Sequence, residues 1–415
     1  MLEGHMGKRM LGNHLVAIDV GTTKICVLVA RVDSHGKIDV IGMGQHPSKG
    51  LKKGVVVNVG ETVESIKKAV SQAESIAGVP IERAAVGISG GHIRSFNSKG
   101  VVAVRNREVS QRDIDRVIES AKAIPIPEGR EILHILPQYF RVDGQEYVQD
   151  SLGMHGVRLE AQVHIITGAV SSAQNIISSC QAAGVQVTDI VLEQIASADA
   201  VLTQTERDLG VGILDVGGGT SDFAIYKEGR IRHSKVLPIA GNHFTSDLAI
   251  GLGIPVHEAE KLKRSHGYAC EELYLELDQD RIEVDLGYEG KKKLVDTYAL
   301  FEILEPRAQE IIGMIADEIN EFRLRTFMPS GVVLTGGGSL LGGMCLLVEE
   351  VFGTKARIGV PQTNTDVLKS PIYSTAYGLL VYAMKSRDCS LLTGASDALV
   401  TRIFKSMKSW IYDFL

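Results

Sequence analysis

Residues 213–222 read ILDVGGGTSD, and residues 17–24, AIDVGTTK, read as an earlier copy of the same pattern. Each copy predicts an apolar strand, then Asp-Val-Gly, then a tight turn of Gly and Thr, then a second apolar strand. The strands expected are 15–20 and 25–32 in the first copy, and 211–216 and 223–226 in the second. One such turn alone is an ordinary β-hairpin. Two of them so far apart point to two related α/β half-domains that face each other. Each turn can aim backbone N–H groups into a concavity suited to phosphate. The first turn supplies Gly21, Thr22, Thr23 and Lys24, and the second Gly217, Gly218, Gly219 and Thr220. The carboxylates before them, Asp19 and Asp215, stand where they could hold a hydrated divalent cation.

A third glycine run completes the set. Residues 332–341, VVLTGGGSLL, predict a strand, then Gly336, Gly337 and Gly338, then Ser339 capping a helix that runs to about Phe352. Glycine there lets the backbone approach a flat ligand closely. The chain has no GxxxxGK[ST] run, so it carries no Walker A loop. A dinucleotide fingerprint also fits poorly, because these Asp-Gly turns lead into strands and that motif requires a helix.

The 415 residues suffice for two domains with full cores. A net charge of −6 offers no electrostatic case for a nucleic-acid partner. The five cysteines form no CxxC and no metal spacing, which suits a reducing cytoplasm, and Cys26 and Cys345 lie in apolar runs as expected of buried thiols. No apolar stretch is long enough to span a bilayer and no signal peptide is evident. Residues 1–12 are set aside as a tag scar and extension, native sequence being expected to begin near Met6.

Periodicity lays out the rest. A helix over 61–77 buries Val63, Ile66, Ala69, Val70 and Ala73 and ends at Gly78. Residues 84–165 have a β/α/β composition unlike a linker and read as an inserted domain, with a helix over 110–123 capped by Ser110. Further helices are expected at 172–183, 256–265, 306–324 and 370–384. The expected division is 13–83, 166–200 and 366–385 for the first core; 84–165 for the insert; 201–227 and 308–365 for the second core; and 228–307 for its accessory part. A linker follows over 386–396.

The three glycine runs, in this order, resemble the ATPase superfamily of actin, sugar kinases and heat-shock chaperones. The resemblance implies two α/β domains around a cleft for ATP and Mg2+, with Asp19–Lys24 and Asp215–Asp222 as phosphate loops and 335–339 as the adenosine motif. It also implies a role for Glu193, in 191–201 (VLEQIASADAV). That glutamate polarises the water attacking the γ-phosphate in the superfamily, although Gln194 here replaces a proline common among relatives. Residues 241–248, GNHFTSDL, resemble the glycine-led loop that follows the second turn, which puts Gly241 and Asn242 at the nucleotide. Glu258 and Lys261, three apart on a helix, fall where the superfamily reaches ribose and adenine.

The insert narrows the resemblance. Residues 127–144, PEGREILHILPQYFRVDG, and 150–160, DSLGMHGVRLE, resemble the FtsA family of bacterial cell-division proteins, with Ser151 where many members carry proline. That resemblance covers about 13–385. It implies a cytoplasmic actin-like protein, peripheral on the inner membrane at the division site, with a 1C (SHS2-like) insert. The protein would self-assemble head to tail, meet other division proteins through the insert, and bind the tail of the tubulin-like FtsZ through 228–307. Nucleotide would act as an assembly ligand, with slow hydrolysis at most. A small-molecule kinase of the same superfamily is the alternative, but no persuasive catalytic aspartate over an acceptor hydroxyl is found. A chaperone reading lacks the peptide-binding domain.

Residues 397–415 are periodic again. Phe404, Met407, Trp410, Ile411 and Phe414 share a face, flanked by Arg402, Lys405 and Lys408. Such a helix is about 28 Å long, but its charges predict that it lies on a membrane rather than crossing it. Three basic residues near anionic lipid contribute about 3 kcal/mol. The only tryptophan of the chain sits here, where an amphipathic ring suits the interface.

Overall fold

A computed structural model describes residues 14–33, 36–274, 281–286 and 291–391. The first 13 residues and the whole 397–415 segment therefore lie outside the described residues.

Two five-stranded sheets carry the molecule, and they are copies of one another. The first runs Gln186–Leu192, Arg83–Ile88, His14–Val20, Lys24–Val32, Ile38–Pro47; the second runs Ala356–Ile358, Val332–Thr335, Val211–Val216, Ser221–Lys227, Arg230–Leu237. In both, two parallel ladders are followed by two antiparallel ones. The pairing puts Asp19 opposite Cys26, and Asp215 opposite Asp222, at matching places beside the two turns. These central strands are buried along nearly their whole length, as parallel-type strands covered on both faces must be. The duplication expected from the two DVG runs is thus present in strand order and direction.

Helices pack on each sheet; one core joins the first sheet to one face of the second, through Val211, Ile213, Ala224 and Val333, and the other lies on the opposite face of the second sheet, behind Leu214, Phe223 and Leu334. Val59–Ala77 starts where the Asn58 side chain accepts the Glu61 N–H and stops at Gly78, whose φ of 68° is open to glycine without strain. Its buried face includes Val63, Ile66, Ala69, Val70 and Ala73. The helix Glu193–Val201 crosses between the halves, and Ser374–Leu391 returns to lie against it; the Ala196 carbonyl would be 1.8 Å from any Cβ at Gly378.

The insert is a four-stranded antiparallel sheet, Arg94–Ala103, Arg158–Ala169, Arg130–Val142, Gln145–Val148, backed by the helix Gln111–Lys122. That helix begins where Asp113 accepts from both the N–H and the hydroxyl of Ser110, and it buries Ile114, Val117, Ile118 and Ala121 in a core of its own. It lies so close to the sheet that a Cβ on Gly100 would meet the Val117 carbonyl at 2.0 Å.

Several boundaries differ from expectation. Residues 84–88, assigned above to the insert, belong to the strand Arg83–Ile88, which pairs with two strands of the first sheet. Its apolar run is that of a central strand, and the insert's own sheet starts only at Arg94. Ser339 does not cap a long helix. It sits in a 3-10 turn, its hydroxyl donating to the Gly336 carbonyl at 2.7 Å, and the helix Met344–Phe352 starts after Gly343 at φ 84°. The helix placed at 306–324 is Thr297–Glu321, with Pro306 inside it and Asp296 accepting the Tyr298 N–H at its start. The last helix continues through residue 391 and takes up much of the linker expected over 386–396. Of the thiols, Cys26 is buried as expected but Cys345 is only half-buried. Among the described residues, no helix is long and apolar enough to cross a membrane.

Candidate functional site

The two hairpin turns close in the same way, by Gly21 N–H to the Lys24 carbonyl at 3.1 Å and by Gly217 N–H to the Thr220 carbonyl at 2.9 Å. They meet across a cleft of about 660 Å³ lined by both halves. Contact is close enough to dictate glycine. A Cβ at Gly218 would lie 1.8 Å from Thr23 Oγ1, and one at Gly219 would lie 2.3 Å from Thr22 Oγ1. The helix Gly241–Leu252 opens against the second turn, with the Gly241 and Asn242 N–H groups donating to the Gly217 and Gly218 carbonyls at 3.0 and 2.8 Å. The third glycine run bends round the end of the strand Val211–Val216. Gly336 has φ 79°, and a Cβ there would fall 2.2 Å from Asp215 Oδ1. All three runs line the same cavity, as do Glu193, Gly241 and Asn242.

Acid dominates the floor. Asp19 pairs with Lys24 at 3.2 Å, and the Lys24 ammonium lies 5.4 Å from the centre of the Tyr373 ring. Burial works against the charged ammonium, but Asp19, Cys26 and Tyr373 together outweigh it and hold the Lys24 pKa above its ordinary value. Asp215 accepts from the Ser197 hydroxyl and, at 3.2 Å, from Thr375 Oγ1; burial, reinforced by Asp19, still pushes it up to about 6. Asp222 accepts from Ser89 Oγ at 2.5 Å and is pushed up to about 7 by burial and by the charge of Asp215. Glu193, the first residue of its helix, is raised well above the carboxylate range by burial and then by Asp222, Asp19 and Asp215. The floor of the cleft thus holds more acid than Lys24 neutralises.

That donor set fits a hydrated divalent cation. Among the described residues no three His, Cys, Asp or Glu side chains are arranged as ligands of one ion. A hard ion held by one or two carboxylates, waters and phosphate oxygens is the arrangement Mg2+ ordinarily takes. The turns fit an anion: N–H-bearing glycine backbone with no room for side chains.

Three expected residues, Glu258, Lys261 and Ser339, do not line the cleft. Glu258 and Lys261 pair with each other at 2.5 Å, and Lys261 is largely exposed. On the same helix, Val256–His266, it is Glu260, Lys263 and Arg264 that line the cleft. Lys263 Nζ donates to the Gly241 carbonyl at 3.1 Å, to Thr245 Oγ1 at 2.9 Å and to Glu260 Oε2 at 2.6 Å. The spacing of the expected pair was that of one helix face, but the wrong face. The buried positions Ala259 and Leu262 set the helix rotation and could have shown it. Ser339 is buried behind its turn and lines no part of the cavity. Ser89, Ser197, Asp222, Thr375 and Tyr373 were not singled out from the sequence. They come from distant segments, and only the fold brings them together. The set expected to face a membrane, Arg402, Phe404, Lys405, Lys408, Met407, Trp410, Ile411 and Phe414, lies outside the described residues.

Comparison with known proteins is consistent with this architecture. A family profile described as "SHS2 domain inserted in FTSA" matches residues 90–167, and one described as "Cell division protein FtsA" matches residues 212–378. The first agrees with the insert boundary seen in the sheets. The chain is 43% identical over 409 residues to the cell division protein FtsA of Pseudomonas aeruginosa, covering 96% of this chain and 98% of that one. It is 35% identical over 407 residues to that of Escherichia coli K12 (96% and 95% covered), and 35% over 374 residues to that of Bacillus subtilis (89% and 83%). Among solved structures, a PilM-PilN type IV pilus biogenesis complex superposes with a TM-score of 0.65 at 15% identity, covering 89% of this chain and 98% of that one. MreB5 of Spiroplasma citri bound to ADP gives 0.56 at 14% identity (92% and 99%). These distant likenesses establish the actin-like ATPase fold alone. Near full-length identity to curated relatives, with the inserted SHS2 domain in place, makes the chain a member of the FtsA family of cell division proteins.

Proposed function

We propose that the chain binds ATP·Mg2+ between its two halves, assembles head to tail, and tethers the FtsZ ring to the cytoplasmic face of the inner membrane through residues 397–415. The observation that carries the nucleotide part is the opposition of two like turns, Thr22 and Thr23 against Gly219 and Gly218, above a floor of acids. The backbone N–H groups of both turns would cradle phosphate. Lys24 would reach it as a point charge. Asp19 and Asp215 would hold the ion through its water shell. A bound Mg2+ would supply the positive charge that the carboxylates lack. Gly336, Gly337 and Gly338 would let the adenosine end lie flat, and Lys263, Glu260 and Arg264 would wall it. Burial and the neighbouring acids Asp222, Asp19 and Asp215 hold the Glu193 carboxyl well above its ordinary value in the free cleft, which disfavours the ionised form that a base needs until charge near it changes. That supports slow turnover at most, with nucleotide serving mainly as an assembly ligand.

The family supports the division role; the acidic FtsZ tail through 228–307, division partners through the insert, and anionic lipid through the tail segment are parts of the same proposal. A head-to-tail contact between copies is heterologous and gives open filaments. One amphipathic tail binds weakly, whereas many on one filament bind through effective concentration. Calorimetric titration of the full chain with ATP, with and without Mg2+, tests the nucleotide part. Saturable, Mg2+-dependent binding is expected, and no heat at any concentration up to the millimolar range would sink it.

A further inference from the structure

A buried serine ordinarily gives its hydroxyl to a nearby main-chain carbonyl. Ser89 does not. Its Oγ donates at 2.5 Å to Asp222, a partner 133 residues away on the opposite half, and both groups are buried. Ser89 directly follows the strand Arg83–Ile88 of the first sheet. Asp222 lies two residues beyond Thr220, in the strand that leaves the second turn. The backbone around the serine has nowhere to retreat. Gly90 sits at φ 131°, a Cβ on Gly54 would lie 3.0 Å from Gly90 Cα, and one on Gly91 would lie 3.3 Å from Pro238 Cβ of the second half.

Residue 90 is also where the inserted domain begins. That domain fastens onto the hairpin that leaves the second turn. Gln138 Nε2 donates to the Ile231 and Arg232 carbonyls at 3.1 and 2.9 Å, and Ser95 Oγ to the Ser234 carbonyl at 2.6 Å. The strand Arg230–Leu237 is a sheet edge, and these side chains cover it. One hairpin therefore carries the second turn, the partner of Ser89 and the seat of the insert.

We infer that Ser89 is a positioning residue: by holding Asp222 it sets the second turn against the first half and ties that setting to the root of the inserted domain. The inference rests on the nucleotide reading of the cleft for its consequence, though not for its geometry. Ser89 lines no part of the cavity, so its effect passes through Asp222. Threonine at 89 supplies the same hydroxyl; alanine does not.

A double-mutant cycle tests this in the full chain: Ser89→Ala, Asp222→Leu (similar shape without an acceptor) and both together, with Ser89→Thr as the conservative variant and Asp222→Ala where leucine does not fold. The first readout is amide hydrogen exchange over 217–222 without nucleotide; the second is Mg·ATP affinity. Ser89→Ala is expected to speed exchange and weaken affinity about tenfold, the size of one hydrogen bond to a charged group. It should change neither when Asp222 is already replaced. Ser89→Thr should restore both. An equal effect of Ser89→Ala in the two backgrounds, or none in either, overturns the inference. Absent Mg·ATP binding by the unaltered protein would sink the nucleotide reading instead, while the exchange cycle still decides the role of Ser89.

Discussion

Asp215→Asn should make the free protein more stable and the binding site worse. In the folded chain the Asp215 carboxyl is pushed up to about 6 from an ordinary value of 3.8, because burial disfavours its charge. A raised carboxylate contributes its full stability below about 3.8 and loses it as pH rises through about 6. A raise of about two, at about 1.4 kcal/mol each, means that above this window the ionised group costs about 3 kcal/mol. Asparagine cannot ionise, so it escapes that cost. It still accepts from Ser197 and Thr375, but through an uncharged oxygen, which gives back about 1 kcal/mol. The net gain is about 2 kcal/mol at pH 8 and none at pH 4. Thermal melts of both proteins without nucleotide at pH 5 and 8 measure it: the variant's advantage should open as pH rises. Addition of Mg·ATP should reverse the order, since the variant has lost a carboxylate proposed to hold the ion. A variant destabilised equally at both pH values, or one keeping full Mg2+-dependent affinity, would refute the reasoning.

Other outcomes follow from the same charges. Glu193→Ala should abolish any ATP hydrolysis while leaving ATP binding within a few-fold, as read by phosphate release and calorimetry; persistent turnover would remove Glu193 from the chemistry. Binding of Mg·ATP near pH 6 should release protons, because the proposed cation favours ionisation of Asp215, at about 6, and, by offsetting the Asp215 charge, of Asp222, at about 7. Affinity should therefore rise about tenfold from pH 6 to pH 8. Calorimetry in buffers of different ionisation enthalpy checks this, and Asp215→Asn should release fewer protons. Trp410→Glu should free the protein from anionic vesicles with nucleotide binding intact; retained vesicle binding would refute the anchor.

The duplicated cores were legible because each turn is encoded locally: an apolar strand, Asp-Val-Gly, and no room for a side chain where Gly218 and Gly219 face the threonines. The insert was legible as a domain but not at its edge. Residues 84–88 are as apolar as a strand of either domain, and pairing with the first sheet decides the matter. The face of the helix Val256–His266 was misread because Glu258 and Lys261 have ion-pair spacing, whereas rotation is set by packing at Ala259 and Leu262. Ser339 looked like a cap, yet Gly343, with its left-handed backbone, starts the helix. The groups that hold the acids were not legible at all. Ser197 and Thr375 reach Asp215 across separations of 18 and 160 residues, and such contacts leave no periodic trace.

The most direct measurement is co-pelleting of the full chain with anionic vesicles, with and without ATP·Mg2+, beside a chain ending at Ser396. The account predicts pelleting that needs residues 397–415 and strengthens with nucleotide, as many tails on one filament bind together. Equal pelleting with and without the tail, indifferent to nucleotide, would contradict it and leave an actin-like protein that is not a membrane adaptor.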